Sequence, residues 1–293
     1  MKGIIIVNAY YHSEEIQYQP KRLRDELVKR GAECEIRENT EIPCALENGR
    51  LSPGLEKPDF CVFLDKDKYL LQTVEKTGTR LFNNPRTIRV CDDKMETALC
   101  LADQGIPMPD TLAGPLCYRP DAEFSATFEK FAAERLGYPF VYKECYGSRG
   151  TGVYLISDRK EFERVWTRNR TKAYLLQEYI AQSRGRDIRV LVIGGTAVGA
   201  IERENETDFR SNLATGGTGT PYPMNETLVR LCEKTAAVLG ADYCGIDVLV
   251  SERGYLVCEV NSNAFFKGFE KATGINAAAI YAEHILSQVE NDQ

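Results

Sequence analysis

The sequence predicts a mixed architecture, a small α/β domain followed by two α+β lobes, and three observations predict it. The 293 residues, 43% hydrophobic and 27% charged, amount to about two ordinary domains with the composition of a packed globular protein. Through the first third, short apolar runs alternate with helical spacing, the βαβ rhythm of a mostly parallel sheet covered by helices. After Pro107 strand follows strand through glycine-rich turns, the pattern of antiparallel hairpins. The expected divisions are residues 1–90, 91–172 and 173–293.

Element by element, Ile4 to Ala9 reads as a buried strand. Pro20 to Arg30 reads as a helix spaced by Leu23, Leu27 and Val28 and closed by Gly31. Cys34 to Arg37 and Asp59 to Leu64 are expected strands, with Pro43, Pro53 and Pro58 in the loops. Asn83-Asn84-Pro85 is expected to turn the chain. Asp92 is then expected to cap a helix carrying Met95, Leu99 and Leu101, ended by Gly105 and Pro107. A helix from Phe124 to Leu136 precedes a strand at Phe140 to Lys143, a glycine-rich loop and a strand at Gly152 to Ile156. Asp158 and Glu161 make a capping box for a helix through Trp166. Further strands are expected at Tyr174 to Tyr179, Ile188 to Ile193 and Ala197 to Glu202, then a helix at Leu228 to Leu239. Gly245 to Val250 with Tyr255 to Val260 form a second hairpin, and Ala277 to Gln288 a last helix.

Composition excludes several chemistries. Lys+Arg 37 against Asp+Glu 43 gives a net charge of −6, which argues against broad nucleic-acid binding. No apolar run approaches the ~20 residues of a membrane span, and the opening Met1-Lys2-Gly3 leads into too short an apolar run for a signal peptide. A cytoplasmic location is expected. The ten cysteines contain no Cys-x-x-Cys pair, so they read as reduced, mostly buried thiols. His12 and His284 are the only histidines, which removes His-rich zinc sites and leaves little room for a Ser-His-Asp hydrolase. Catalysis, if present, runs on carboxylates, Lys, Arg, backbone amides or a hard metal ion.

Two constellations carry chemistry. Gly147-Ser148-Arg149-Gly150-Thr151-Gly152 follows Lys143, and its glycines let backbone amides approach phosphate oxygens. It lacks the Gly-Lys-Ser/Thr of a Walker loop and lies between two strands. A flap over a nucleotide triphosphate and a glycine-rich turn beside a solvated lysine both fit it. The second constellation comes from register. If Glu252-Arg253-Gly254 is a three-residue loop, Ser251 pairs with Tyr255 and Asp247 sits opposite Glu259, with Asn261 on the same face. Ile246, Val248, Val250, Leu256, Cys258 and Val260 then form the core face. Opposed carboxylates are unfavourable without a cation, and oxygen-only donors favour Mg²⁺ or Mn²⁺ bridged to phosphates. A solvated face whose carboxylates pair with Lys or Arg is the alternative.

Between the two lie Gln177-Glu178-Tyr179-Ile180, Asp187-Ile188-Arg189 and Asp208-Phe209-Arg210-Ser211-Asn212. Glu178 and Tyr179 offer a strand-end edge for a purine and Asp187 an acceptor for ribose hydroxyls. Arg189, Arg203 and Arg210 offer charge for a transferring phosphoryl group. Singly, each is more often a surface residue; their case rests on company.

Together with Lys143, the glycine loop, Gly245-Ile246-Asp247 and Glu259-Val260-Asn261, these segments resemble the ATP-grasp superfamily, and within it the RimK-type α-L-glutamate ligase branch. The matching motifs run from about Asp93 to Gly274. The resemblance implies a pre-ATP-grasp α/β domain ahead of two ATP-grasp lobes that hold ATP between them. It implies Lys143 and Lys94 on the phosphates under Gly147, Ser148, Gly150, Thr151 and Gly152. It places Gln177, Glu178, Tyr179 and Ile180 at the adenine and Asp187 at the ribose. Arg210, Ser211 and Asn212 would stand near ATP and the reacting carboxylate, with Arg189, Arg203 and Arg210 catalytic. Asp247, Glu259 and Asn261 would hold Mg²⁺ or Mn²⁺. The implied reaction joins a carboxylate to an amine or amino-acid acceptor, free or in a peptide or protein, through an acylphosphate. A small-molecule kinase and a non-catalytic ATP-binding regulatory module are the alternatives, and related enzymes often form homo-oligomers. Where such relatives usually carry a Ser-Pro-Gly-like turn, this chain has Ser262-Asn263-Ala264-Phe265-Phe266-Lys267-Gly268, which puts two Phe residues at the expected substrate lip.

Overall fold

The computed structural model describes residues 1–11, 13–148, 150–211 and 218–292. His12, Arg149 and Asn212 therefore lie outside the described residues. The N-terminal domain comprises β1 (Lys2–Val7), α1 (Glu14–Lys29), β2 (Glu33–Glu38), β3 (Cys44–Glu47), β4 (Arg50–Pro53), β5 (Phe60–Phe63), α2 (Lys68–Lys76) and β6 (Arg80–Phe82). Its sheet has the order β2-β1-β5-β6 and is parallel throughout, while β3 and β4 form a separate hairpin. Both faces of the sheet are covered, which is why β1 and β5 read as continuous apolar runs. Ile5, Phe60 and Val62 pack against Leu23 and Leu27 of α1, and Ile4, Ile6, Cys61 and Phe63 against Leu70, Leu71 and Val74 of α2.

α3 (Pro85–Asp92) and α4 (Lys94–Leu101) lead into the central lobe: β7 (Thr111–Ala113), α5 (Ala126–Leu136), β8 (Phe140–Glu144), β9 (Val153–Ile156), α6 (Arg159–Asn169) and β10 (Tyr174–Glu178). The sheet order β7-β10-β8-β9 is antiparallel. β10 thus belongs to this sheet, and the division expected at residues 172 and 173 moves past Glu178. Phe140, Tyr142 and Leu176 face α5 and α6 with Phe162 and Trp166, so by alternation Val141, Lys143 and Gln177 face the other way.

The C-terminal lobe comprises β11 (Arg186–Ile193), β12 (Thr196–Glu204), β13 (Thr218–Pro221), α7 (Glu226–Leu239), β14 (Tyr243–Ser251), β15 (Gly254–Asn261), α8 (Phe266–Thr273) and α9 (Ala277–Asn291). Its antiparallel sheet has the order β13-β12-β11-β14-β15. One face, with Ile188, Val190, Ile246, Val248 and Val257, packs against Leu228 and Cys232 of α7 and Leu101 of α4. On the other face the odd positions of β11 divide: Leu191 and Ile193 join one core with α1, α9 and the N-terminal sheet, while Asp187 and Arg189 stay polar. Tyr18 Oη donates to Glu270 at 2.7 Å and Asn276 Nδ2 to Glu26 at 3.1 Å across the α1 contact with α8 and α9. None of the described helices is long and apolar enough to cross a membrane.

Several local expectations are corrected. Asn83-Asn84-Pro85 opens α3, with Asn84 as N-cap, and Asp92 ends that helix; Asp93 caps α4, accepting from the Met95 and Glu96 amides at 2.8 and 3.1 Å. The hairpin turn has two residues, because Ser251 pairs with Gly254. A bulge then places both Cys258 and Glu259 against Asp247, restoring the expected carboxylate pairing. Consequently Val257 takes the core position assigned to Cys258, and Val250 is exposed. Phe266 is fully buried edge-on to Tyr243, so only Phe265 of that pair reaches the cavity.

Candidate active site

A cavity of about 510 Å³ opens between the central sheet and the polar end of the C-terminal sheet, closed on a third side by the loops after β1 and β5. Lys143 reaches it from β8. Its ammonium donates to Gln177 Oε1 at 2.6 Å and lies 3.2 Å from Cys258 Sγ. Burial disfavours that charge, but Cys258, Glu259 and Asp247 outweigh it and hold Lys143 above the usual lysine range. Burial in turn raises the Cys258 thiol, more than Lys143 lowers it.

The β8–β9 hairpin carries the glycine loop. Gly152 has φ +75, and a Cβ there would lie 2.7 Å from Glu144 Cδ, so only glycine closes the hairpin against Glu144. Two cations grip the loop through carbonyls: Lys94 Nζ donates to Gly147 O at 3.0 Å, and Arg210 NH1 to Gly150 O at 2.7 Å. Arg210 is itself oriented by Asp208, at 3.0 Å from Nε to Oδ1.

The facing wall is a ladder of cross-strand ion pairs set by register. Asp187 is directly opposite Arg203 and Arg189 directly opposite Asp247. Arg189 holds Asp247 with two bonds of 2.7 Å, and Arg203 bridges Asp187 and Asp247, at 2.7 Å from Nε to Asp187 Oδ1 and 2.9 Å from NH2 to Asp247 Oδ2. Arg203 and Asp247 are only 2% and 4% exposed. Burial pushes the Asp247 carboxyl up, and the two guanidinium groups outweigh it, leaving it below the ordinary carboxylate range. Of the two opposed carboxylates, Asp247 is thus neutralised by arginine, and Glu259 stands 3.9 Å from the Lys94 ammonium. Asn261 Nδ2 is 3.5 Å from Asp247 Oδ2.

Among the described residues no group of three or more His, Cys, Asp or Glu side chains could hold a metal ion. Asp247, Glu259 and Asn261 offer oxygen donors, the type that a hard divalent cation takes.

The structure brings together Lys94, Lys143, Gly147, Ser148, Gly150, Thr151, Gln177, Glu178, Tyr179, Ile180, Asp187, Arg189, Arg203, Arg210, Ser211, Asp247, Glu259 and Asn261 around one cavity. Gly152 supports the loop from behind it. Three placements differ in role from expectation. Asp187 spends both oxygens on Arg203, Asp247 spends both on Arg189 and Arg203, and Glu178 accepts from the Asp110 amide at 3.1 Å and from Arg253. Sequence reasoning missed Cys258, which enters through the bulge, and Asn8, Asp65 and Asn263. Asn8 and Asp65 follow the C-terminal ends of adjacent parallel strands, a position that itself points to ligand binding.

A family model described as the RimK-like ATP-grasp domain matches residues 91–285. The chain belongs to that family. Among RimK-like relatives, N-acetylaspartylglutamate synthase A of Homo sapiens is 37% identical over 232 residues, covering 78% of this chain and 58% of that protein. This chain thus spans about three fifths of the length of that curated relative. A probable alpha-L-glutamate ligase of Citrobacter koseri is 34% identical over 280 residues, covering 89% of each. Among solved structures, the ATP-grasp ligase PsnB complexed with a minimal precursor, Mg and ADP superposes with a TM-score of 0.69 at 17% identity, covering 98% of each chain, a likeness of fold.

Proposed function

We propose that the chain is an ATP- and Mg²⁺-dependent carboxylate–amine ligase that forms an amide or peptide bond through an acylphosphate and releases ADP. One observation carries this reading: a single cavity in a RimK-like ATP-grasp chain is lined by the glycine hairpin with Lys143 of the central sheet and Lys94 of α4, and by Asp247, Glu259 and Asn261 with Arg189 and Arg203 of the C-terminal sheet and Arg210 of the loop after β12.

Asp247, Glu259 and Asn261 would hold the metal, which when bound offsets phosphate charge and polarises the γ-phosphoryl group. Lys143 and Lys94 neutralise the phosphates beneath the hairpin, whose loop amides supply donors. A carboxylate oxygen of the acid attacks the γ-phosphorus, and the bond to the β-phosphate oxygen breaks, giving acylphosphate and ADP. Arg189, Arg203 and Arg210 receive the charge that accumulates there. The amine nitrogen then attacks the acyl carbon, loses a proton and expels phosphate. The hairpin, gripped at Gly147 and Gly150, keeps out water that would hydrolyse the acylphosphate. Gln177, Glu178, Tyr179 and Ile180 form the purine wall, with Ser211 beside Arg210. The amine is an amino acid, glutamate first among candidates on the strength of its relatives, and all ten unpaired cysteines support a reducing, cytoplasmic setting.

A thermal-shift and ADP-release screen of amino acids, dicarboxylates and short acidic peptides with Mg-ATP tests the reading. Release of ADP only when an acid and an amine are both present is expected. A stable phosphorylated product that forms without any amine would replace the ligase with a kinase.

A further inference from the structure

Lys143 is held from behind by hydrogen bonds that run across the central sheet. Thr111 on β7 sits directly opposite Gln177 on β10, and Gln177 lies diagonally from Lys143 on β8, with the three side chains on one face. Lys143 and Gln177 are only 8% and 6% exposed. Gln177 Oε1 accepts from the Lys143 ammonium at 2.6 Å, Gln177 Nε2 donates to Thr111 Oγ1 at 3.0 Å, and Thr111 Oγ1 donates to Pro109 O at 2.9 Å.

The order of donors along this chain has one solution. A hydroxyl has a single proton, and the Pro109 carbonyl, which can only accept, takes it. Towards Gln177 the Thr111 oxygen can therefore only accept, which turns Nε2 to Thr111 and Oε1 to Lys143. The ammonium, a donor only, demands the same orientation from the other end. A flipped amide would set Nε2 against the ammonium and Oε1 against a hydroxyl whose proton is spent. The second neighbour of Lys143 is Cys258 Sγ at 3.2 Å, a weak acceptor. Of the ammonium's three donors these contacts take two, which leaves the third for the cavity that Lys143 lines.

We infer that Thr111, which stands behind the lining of the cavity, is a positioning residue for Lys143: its hydroxyl locks the Gln177 amide, and the amide aims the ammonium at the nucleotide's phosphates. Gln177 stands in the purine wall by its place on β10, and its side chain is committed to Lys143. This rests on the reading of Lys143 as a phosphate ligand and adds to it a residue that touches neither nucleotide nor substrate.

The test is calorimetric titration of the full chain by Mg-ADP, with Thr111→Val, Thr111→Ala, Thr111→Ser, Lys143→Met and the double variant Thr111→Val/Lys143→Met beside the unmodified chain. Val keeps the β-branched shape that suits a strand and removes only the hydroxyl. Thr111→Val and Thr111→Ala are each expected to weaken Mg-ADP about fivefold, the worth of one hydrogen bond. Thr111→Ser, which keeps the hydroxyl, is expected to stay within about twofold of the unmodified chain. In the Lys143→Met background the change to Val is expected to alter affinity by less than about twofold, because Thr111 acts through Lys143. Binding by both Thr111→Val and Thr111→Ala equal to that of the unmodified chain, a Thr111→Ser as weak as Thr111→Val, or the same loss with and without Lys143 would each overturn the assignment. Unchanged binding by Thr111→Val beside a large loss in Lys143→Met would remove the role of Thr111 and keep the nucleotide site. Equal binding by Lys143→Met and the unmodified chain would take Lys143 off the phosphates, and both readings with it.

Discussion

Replacing Arg203 by Met tests the polar wall on which the site is built. Met nearly conserves volume, so the change removes charge and three hydrogen bonds with little cavity. Arg203 is 2% exposed and lies between two carboxylates, Asp187 at 9% and Asp247 at 4% exposure. Asp247 keeps Arg189, whereas Asp187 loses both bonds that hold its oxygens. Stranding one partner of a buried ion pair costs about 3–5 kcal/mol. At about 2–4 °C per kcal/mol for a chain of this size, Tm falls by roughly 6–20 °C. Differential scanning calorimetry of Arg203→Met, Asp187→Asn and the double variant measures it. The double variant is expected to be more stable than Arg203→Met alone, because the stranded charge is gone, with a coupling of about 1–3 kcal/mol. A fall in Tm under about 2 °C, or additive effects of the two changes, would refute the reasoning.

Two further outcomes follow from single positions. The Glu26 carboxyl, held far below the carboxylate range by Arg30, Arg22, Asn276 and Lys29 against its burial, fastens α1 to α9. Its folded value lies below its unfolded value of about 4.3, so its contribution is complete above that pH and is lost only as pH falls toward the folded value. Urea unfolding should therefore show Glu26→Gln less stable by about 2 kcal/mol from pH 7 down to roughly pH 4.5, with the gap closing at lower pH; a gap that closes above pH 5 would contradict this. Gly152→Ala forces a Cβ to 2.7 Å from Glu144 at φ +75 and displaces the hairpin. It should raise the KM for ATP about tenfold at a stability cost of only about 1–3 kcal/mol, read by initial rates and thermal melts; an unchanged KM would detach the hairpin from the nucleotide.

Much of this was legible in the sequence where the signal was local. The β8–β9 hairpin around its glycines and the antiparallel β14–β15 pair with Asp247 opposite Glu259 both stand as expected. The second stands for a different reason: the turn is one residue shorter, and a bulge at Cys258 compensates. No pattern announces a bulge, and with it went the facing of Val257 and Cys258. α2 and α3 were missed although their signals were present, since Asp67 precedes Leu70, Leu71 and Val74, and Asn84-Pro85 is an N-cap followed by proline at the first helical position. α8 gave no such signal, because it has no side-chain cap and carries Gly268 in its middle; burial of Phe266 and Phe269 holds it. The membership of β10 in the central sheet depends on pairing with β7 and β8 across long intervals, which the alternation of one strand does not encode. The ion-pair ladder follows from β11 register, so the arginines were expected as phosphate ligands, while pairing of Asp247 with arginine stood only as the alternative and that of Asp187 with Arg203 was not expected.

The most direct test of the account follows oxygen through the reaction. With the acid substrate labelled by ¹⁸O in its reacting carboxylate, attack on the γ-phosphorus leaves one labelled oxygen bridging to phosphorus, and the amine then expels it with phosphate. Phosphorus NMR should find ¹⁸O in the inorganic phosphate, one atom per amide formed, with unlabelled ADP. Label in AMP, or amide formed beside unlabelled phosphate, would contradict the mechanism at its first step.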